Sequence, residues 1–219
     1  MKKINYLFAL FLAVPFSALA DSAGAKVDID VHASTLGLGA GFAIPISDNF
    51  AGRVNLNKYT YTTSFTSDSI NYDASIKLES IGLLADWHLF SGVTHLTAGA
   101  IYNNNEFNMT ATPVGNYVFN GVSYPASTVG TASASVTFNK VAPYLGLGWS
   151  GRASKTGFSF KSDIGVMYQG SPKAKLTATN PLGNAQLAAD VAAAEAKMNT
   201  DLESYKLWPV ISVGLGYAF

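Results

Sequence analysis

The chain of 219 residues contains no cysteine, and charged residues make up only 13% of it. A secreted protein without cysteine has no disulfide framework, so its rigidity must come from another source. Soluble domains average roughly 25% charged residues, so this chain has little charge for an ordinary soluble surface. The formal net charge is zero. Because the sequence has no basic block, nucleic acid is not expected as a partner.

Long hydrophobic runs are also missing, although 48% of the residues are hydrophobic. The one apolar run, at residues 6–16, is roughly half the ~20 residues that a membrane-spanning helix needs. It follows Lys2 and Lys3 and precedes Ser17-Ala18-Leu19-Ala20. This pattern is typical of a secretory signal peptide cleaved after Ala20, and an anchoring helix is the disfavoured alternative. We therefore divide the chain into a signal peptide (1–20) and a mature domain (21–219).

The mature domain alternates apolar and polar residues in segments of about ten. Phe158 and Phe160 share one face of such a segment, and Lys161 and Asp163 share the other. Only helices and closed barrels satisfy their backbone hydrogen bonds inside a membrane. A soluble sandwich also alternates, but its exterior would be charged. The pattern predicts an all-β fold, a closed antiparallel eight-stranded transmembrane β-barrel in a Gram-negative outer membrane. The residues expected to face lipid are Val54, Leu56, Phe158, Phe160, Ile164, Val166, Val213 and Leu215.

The count of eight strands depends on residues 27–44. Read as one strand, this segment gives seven strands, whereas bacterial barrels have an even number. Its apolar residues change from odd positions, such as Val31, to even positions, such as Leu36. A hairpin near Ala33-Ser34-Thr35 explains the change, and a β-bulge is the alternative. We favour the hairpin and expect the first strand to pair with the last. Similar changes between Leu78 and Ile81, and between Phe138 and Leu145, are interpreted as bulges or rim bends.

The carboxyl end has the pattern of a final barrel strand. Apolar residues alternate from Ile211 to Phe219. We interpret Tyr217 and Phe219 as a C-terminal assembly signal for the barrel-assembly machinery. A soluble strand with an exposed terminal phenylalanine would instead be an aggregation liability.

An amphipathic helix is predicted just before this strand. Apolar residues recur from Leu187 to Leu202 at spacings of three and four, and Asn184 is placed to cap the helix. We expect this short helix to lie in the last extracellular loop. Packing against the rim is the favoured interpretation, and a gating lid is the alternative.

Four stretches resemble a family of small proteobacterial outer-membrane proteins that includes the carbapenem-susceptibility porin. They are residues 83–88 (LLADWH), 142–149 (APYLGLGW), 168–173 (YQGSPK) and 208–210 (WPV). The resemblance runs over nearly the whole mature chain. It implies an eight-stranded barrel, and a passage for basic amino acids such as ornithine. No substrate-binding motif accompanies it.

Polar residues inside a membrane protein are functional candidates by default. We expect these residues to face the lumen: Asp28, Asp30, His32, Arg53, Lys77, Glu79, Asp86, His88, His95, Lys161 and Asp163. One interpretation is a paired polar core, since eight strands enclose an interior that side chains just fill. The other is a narrow path in which carboxylates near Asp28 and Asp30 attract small cationic solutes.

Other classes of function have weaker support in the sequence. A lipid-modifying enzyme would need a nucleophile, a base and an orienting group in contact, and His32 with Ser34 and Asp30 is the only local cluster near the outer rim. No catalytic residue is therefore predicted. The three histidines show no metal-ligand spacing, so neither metal nor cofactor is expected. A structural or adhesive barrel that presents its extracellular loops is the remaining alternative.

Overall fold

The computed structural model describes residues 27–67, 70–89, 92–113, 115–150 and 156–219. The predicted signal peptide and the start of the mature chain at Asp21 lie outside these residues. Within them the chain forms thirteen strands and two helices: β1 Asp28–Ser34, β2 Gly37–Pro45, β3 Phe50–Ser67, β4 Ile70–His88, β5 Thr94–Asn103, β6 Glu106–Pro113, β7 Tyr117–Phe119, β8 Val122–Tyr124, α1 Ala126–Val129, β9 Ala132–Thr137, β10 Val141–Ser150, β11 Gly157–Tyr168, β12 Lys173–Ala178, α2 Ala185–Leu202 and β13 Leu207–Ala218.

Eight of the strands form an antiparallel ring in the order β1, β2, β3, β4, β5, β10, β11 and β13. The ring returns to its start because β13 pairs with β1, Ala218 lying opposite Asp28. The predicted count of eight and the pairing of first and last strands are confirmed. The hairpin is confirmed too, since β1 and β2 pair across a turn at Thr35 and Leu36. Gly37 leaves that turn with a φ of 118°, which favours glycine.

Side chains of the ring alternate strictly between its two faces. Inward residues such as Asp28 and Met167 are buried, and outward residues such as Phe158 are exposed, in that case by 89%. All eight residues expected to face lipid are exposed on the outer face of ring strands. An exposed apolar face of this extent is typical of a surface that contacts a membrane or another protein.

An extension of the same sheet continues from one end of the ring. We call it the head sheet; it consists of residues 58–67 of β3, residues 70–79 of β4, and β6, β9 and β12, in that order. Breaks at residues 104–105, 138–140 and 169–172 separate ring strands from head strands. The change of parity predicted between Phe138 and Leu145 falls at the second of these breaks.

Along β4 the apolar residues lie on the outer face within the ring and on the inner face within the head sheet. Its pairing with β3 continues without a bulge from Ile70 to Trp87. Within the ring the outward residues Ile81 and Leu83 are apolar. In the head sheet Leu78 points inward, and Lys77 shares the outer face with Ile81. The interpretation of a bulge between Leu78 and Ile81 is therefore wrong. Strand β4 keeps its register with β3. What changes along it is the outer face, which is apolar in the ring and polar in the head sheet.

A small apolar core lies between the head sheet and the segments that cover it. Its buried residues are Ile70, Ala111, Tyr117, Phe119, Tyr124, Val129, Ala132, Leu187 and Val191. The β7–β8 hairpin turns at Asn120 and Gly121, whose φ values are 49° and 79°. Asn-Gly is a favoured pair for such tight turns. This pair and the alternating aromatic residues Tyr117 and Phe119 are signals of a hairpin in the sequence, and the sequence analysis did not use them.

Helix α2 lies in the connection between β12 and β13. The Asn184 side chain accepts a hydrogen bond from the Leu187 amide over 3.0 Å and caps the helix. Side chains of α2 also cover the free edge of β12. Asn199 Oδ1 accepts from the Ala174 amide and Nδ2 donates to the Ala174 carbonyl, each over 2.9 Å, and Glu195 accepts from the Leu176 amide over 2.8 Å.

No helix in the described part of the chain is both long and apolar enough to cross a membrane.

Candidate functional site: the interior of the ring

A buried arginine joins strands on opposite sides of the ring. The Arg53 guanidinium on β3 donates two hydrogen bonds to Asp163 on β11, at 3.0 and 2.9 Å. Its Nε lies 3.0 Å from Asp86 Oδ2 on β4. Thr97 donates to Asp86 over 2.7 Å, and His95 Nε2 lies 3.3 Å from Asp163 Oδ1. This Arg53 cluster is thus a bidentate ion pair supported by further hydrogen bonds, the strongest arrangement for a buried guanidinium.

A lysine forms a second cluster with the carboxylates of β1. Lys161 Nζ lies 2.8 Å from Asp28 Oδ1 and 3.0 Å from Asp30 Oδ2. His32 Nδ1 lies 2.7 Å from Asp30 Oδ1, and its Nε2 lies 2.9 Å from Asn57 Oδ1. All five side chains point into the ring. A solute cation attracted to Asp28 and Asp30 would have to compete with Lys161.

Glycines on the inward face make room for these clusters. A Cβ at Gly41 would collide with the carboxylate of Asp30, and one at Gly148 would collide with the His95 ring. The Leu-Gly-Leu-Gly sequence at 145–148 thus places leucines outside and glycines inside, with no phosphate-binding loop.

An apolar layer lies across the ring between the polar clusters and the head. It consists of Leu36, Leu84, Ile101, Ala142, Tyr144, Met167 and Val210, with Trp208 packed against it. A cavity of about 30 Å³ touches both this layer and the polar groups, with Arg53, Asn57 and Tyr144 in its lining. About 10–15 Å³ accommodates one water molecule, so this cavity suits water and is too small for an amino acid.

The structure brings most of the predicted lumenal residues together. Asp28, Asp30, His32 and Lys161 lie in one cluster, and Arg53, Asp86, His95 and Asp163 lie in the other. His88 is buried, and its ring lies 5.2 Å from that of His95.

Two predicted lumenal residues lie elsewhere. Lys77 and Glu79 occupy the outer face of β4 in the head sheet, where they form a 3.0 Å ion pair and remain about a third exposed. Their predicted lumenal position is wrong because the parity change was attributed to a bulge that does not exist.

The cluster considered for catalysis does not assemble into a serine–histidine pair. His32 is hydrogen bonded to Asp30 and Asn57. The Ser34 hydroxyl donates instead to the Gly37 carbonyl over 3.2 Å and to Asn57 Oδ1 over 3.3 Å.

The head contains a buried carboxylate that the sequence analysis missed. Asp190 on α2 accepts hydrogen bonds from the Tyr124 hydroxyl, from Asn120 Nδ2 over 3.3 Å and from Gln186 Nε2 over 3.3 Å. The bond from Tyr124 is the main reason why the pKa of Asp190 is below its ordinary value. The same bond raises the pKa of Tyr124 to about 12. Asp190 therefore ties α2 to the β7–β8 hairpin as an ionised group.

Acid should loosen this attachment. A carboxyl whose pKa is lowered by folding stabilises the folded state above its unfolded pKa of about 3.9, and that contribution is lost as the pH falls further. We expect the hydrogen-exchange protection factors of residues 185–202, which are corrected for the intrinsic effect of pH on exchange, to fall below about pH 4. The Asp190→Asn variant is the control, because it has no carboxyl to protonate. The same acid dependence in both proteins would contradict this role for Asp190.

Two solved structures from Acinetobacter baumannii are similar to this chain. CarO2 has a TM-score of 0.59 and 21% sequence identity, with 89% of this chain and 98% of that chain covered. CarO has a TM-score of 0.57 and 21% identity, with coverages of 88% and 97%. No protein-family model and no curated protein sequence matches the chain. The likeness shows that the chain has the fold of these two proteins, so the family resemblance read from the sequence is confirmed at the level of the fold.

Proposed function

We propose that this chain is an outer-membrane β-barrel that does not conduct solutes and that presents its head outside the cell. The apolar outer face of the ring supports a membrane location, since lipid is the solvent that such a surface matches. The outer-membrane lipid and the barrel-assembly machinery, through Tyr217 and Phe219, are the partners that this location implies.

The lengths of the connections support the proposed orientation. Outer-membrane barrels have short periplasmic turns and longer extracellular loops. The turn at residues 46–49 is short and lies at the end of the ring opposite the head. The head, with α2 in its last connection, therefore lies on the extracellular side.

The filled interior is the observation that carries the proposal of a non-conducting barrel. Lys161 is paired with Asp28 and Asp30, the carboxylates that were expected to attract cations, and Arg53 is paired with Asp86 and Asp163. Beyond them, the apolar layer with the fully buried Met167 fills part of the interior on the side of the head. An interior closed in this way suits a barrel that anchors an external head.

Solute flux into liposomes tests this proposal. Vesicles containing the mature protein should not swell in ornithine, glycine or glutamate, whereas vesicles with a general porin should swell in all three. Swelling in ornithine alone would contradict a closed barrel. If replacing both Asp28 and Asp30 by Asn then abolished that swelling, a narrow cation path would take the place of this proposal.

A further inference from the structure

The outer surface of the ring has no charged residue among those described. Its last row before the head sheet runs across β3, β4, β5 and β10 and consists of Leu56, Ile81, Tyr102 and Val141. The rings of Tyr102 and Tyr168 are exposed near this end of the ring. Tyrosine is enriched where a membrane surface meets water. The boundary between ring and head therefore has the composition of a membrane interface.

Three exposed lysines lie just beyond this boundary. Lys140 directly precedes Val141 of β10, and Lys173 and Lys175 follow Tyr168 at the start of β12. Lys173 and Lys175 are two residues apart in one strand, so their side chains share a face. In the described part of the chain none of the three lysines forms an ion pair. We call these three residues the lysine patch.

The carboxylates on the outer face of the head sheet lie on other strands than the lysine patch. Glu79 on β4 is paired with Lys77 over 3.0 Å, and Asp73 on β4 accepts a hydrogen bond from the Ser64 hydroxyl. Glu106 on β6 lies opposite Lys77. Strands β9 and β12 have no acidic residue. The outer face is therefore positively charged at β12 and at the start of β10.

Beside these lysines the outer face of the head sheet consists of hydroxyl and amide side chains. The register places Ser135 of β9 between Lys175 of β12 and Asn108 of β6, and Ser133 lies opposite Thr177. No apolar side chain lies on this face among the described residues. Hydroxyl and amide groups both donate and accept hydrogen bonds, as the hydroxyl groups of sugars do. The face thus combines positive charge with groups that suit a sugar.

We propose that the lysine patch binds the phosphate groups of a phosphorylated glycolipid in the outer leaflet, and that the hydroxyl side chains beside it contact the sugars. Lysine binds phosphate as a point charge, and the acyl chains of such a lipid would lie against the apolar ring next to the patch. This inference rests on the proposed extracellular position of the head.

The extent of the polar face favours a lipid whose headgroup contains sugars. The outer face of β3 is polar from Lys58 to Thr66, roughly 26 Å along the strand. Even a strand tilted by about 45° rises roughly 19 Å over this length. The headgroup region of an ordinary bilayer is only about 5–8 Å thick on each side. A phospholipid headgroup would therefore reach the lysine patch and leave most of the hydroxyl face uncovered.

Titration of the refolded mature barrel in detergent micelles with rough lipopolysaccharide tests the site. Thr177 shares the outer face of β12 with Lys175, and the natural chain has no cysteine, so an environment-sensitive dye on a Thr177→Cys variant reports binding beside the patch. In this background Lys173→Gln should weaken binding about fivefold, and Lys173→Gln with Lys175→Gln roughly 20- to 30-fold. High salt should weaken binding as well, because exposed charges are screened. Lys197→Gln is the matched control and should leave the affinity unchanged, since Lys197 is exposed on α2 and paired with Asp201.

Equal affinities of the Lys173→Gln and Lys197→Gln variants would overturn the lysine patch as the site. Dephosphorylated lipopolysaccharide should bind the labelled parent at least tenfold more weakly than the intact lipid, and equal binding of the two would overturn the role of phosphate. Phosphatidylglycerol that bound as tightly as lipopolysaccharide would overturn the glycolipid as the occupant. The titration in micelles does not depend on whether the barrel conducts, and solute flux does not depend on the lysine patch, so the two proposals can fail independently.

Discussion

Replacing Arg53 by methionine should lower the free energy of unfolding by about 3–5 kcal/mol. The change leaves Asp86 and Asp163 buried without the guanidinium that both carboxylates contact. Removing one partner of a buried ion pair is costly because the remaining charge keeps its desolvation penalty. Urea unfolding of the refolded barrel in micelles, followed by tryptophan fluorescence, measures the difference.

Removal of the charges together is the matched control. A variant with Arg53→Met, Asp86→Asn and Asp163→Asn has no charge left in this cluster. It should regain most of the lost stability, since replacing a whole buried ion-pair network is often close to neutral. A single Arg53→Met change that costs less than about 1 kcal/mol would mean that water reaches the carboxylates and that the interior is open.

An arginine on the outer face of the ring should have the second largest effect. Ile164 points outward from β11 and is 51% exposed. If lipid covers this face, Ile164→Arg should cost about 2–4 kcal/mol near the middle of the membrane. Unfolding in lipid vesicles by urea measures it, because only a bilayer imposes the full penalty on the charge.

Thr112→Arg provides the comparison for a water-exposed position. Thr112 is exposed and lies on the outer face of the head sheet, in β6. A surface substitution of this kind usually changes stability by less than about 0.5 kcal/mol. If Ile164→Arg and Thr112→Arg lowered stability equally, lipid would not cover the ring while water covers the head sheet, and this interpretation would be contradicted.

The ring was predictable because its information is local. Alternation with a period of two assigns Phe160 to one face and Lys161 to the other, whatever the neighbouring strands are. The shift from Val31 to Leu36, combined with an even strand count, identified the first hairpin. Lys77 and Glu79 were misplaced because the rule of polar inside and apolar outside holds only at membrane depth. No residue in the sequence marks the position along β4 at which the outer face changes from apolar to polar.

Contacts across the ring could not be predicted in the same way. Arg53 reaches Asp163 because β3 and β11 face each other across the interior, which depends on the curvature of all eight strands. The pairing of Lys161 with Asp28 and Asp30 was one of the alternatives considered, since the spacing along β1 placed both carboxylates on one face. Asp190 was missed because its partners Tyr124 and Asn120 come from a hairpin that the sequence analysis did not identify.

The seam between β1 and β13 limits the order in which this protein can assemble. The two strands lie at opposite ends of the described chain, and the head segments lie in the connections between β5 and β10 and between β11 and β13. A ring that is filled with side chains has no opening through which those segments could later pass. If the head is extracellular, as proposed, it must therefore be translocated before the seam closes. Until then β1 and β13 each expose an unpaired edge, which hydrocarbon does not tolerate. Translocation of the head and closure of the seam are thus coupled steps, and a half-inserted barrel is not a stable intermediate.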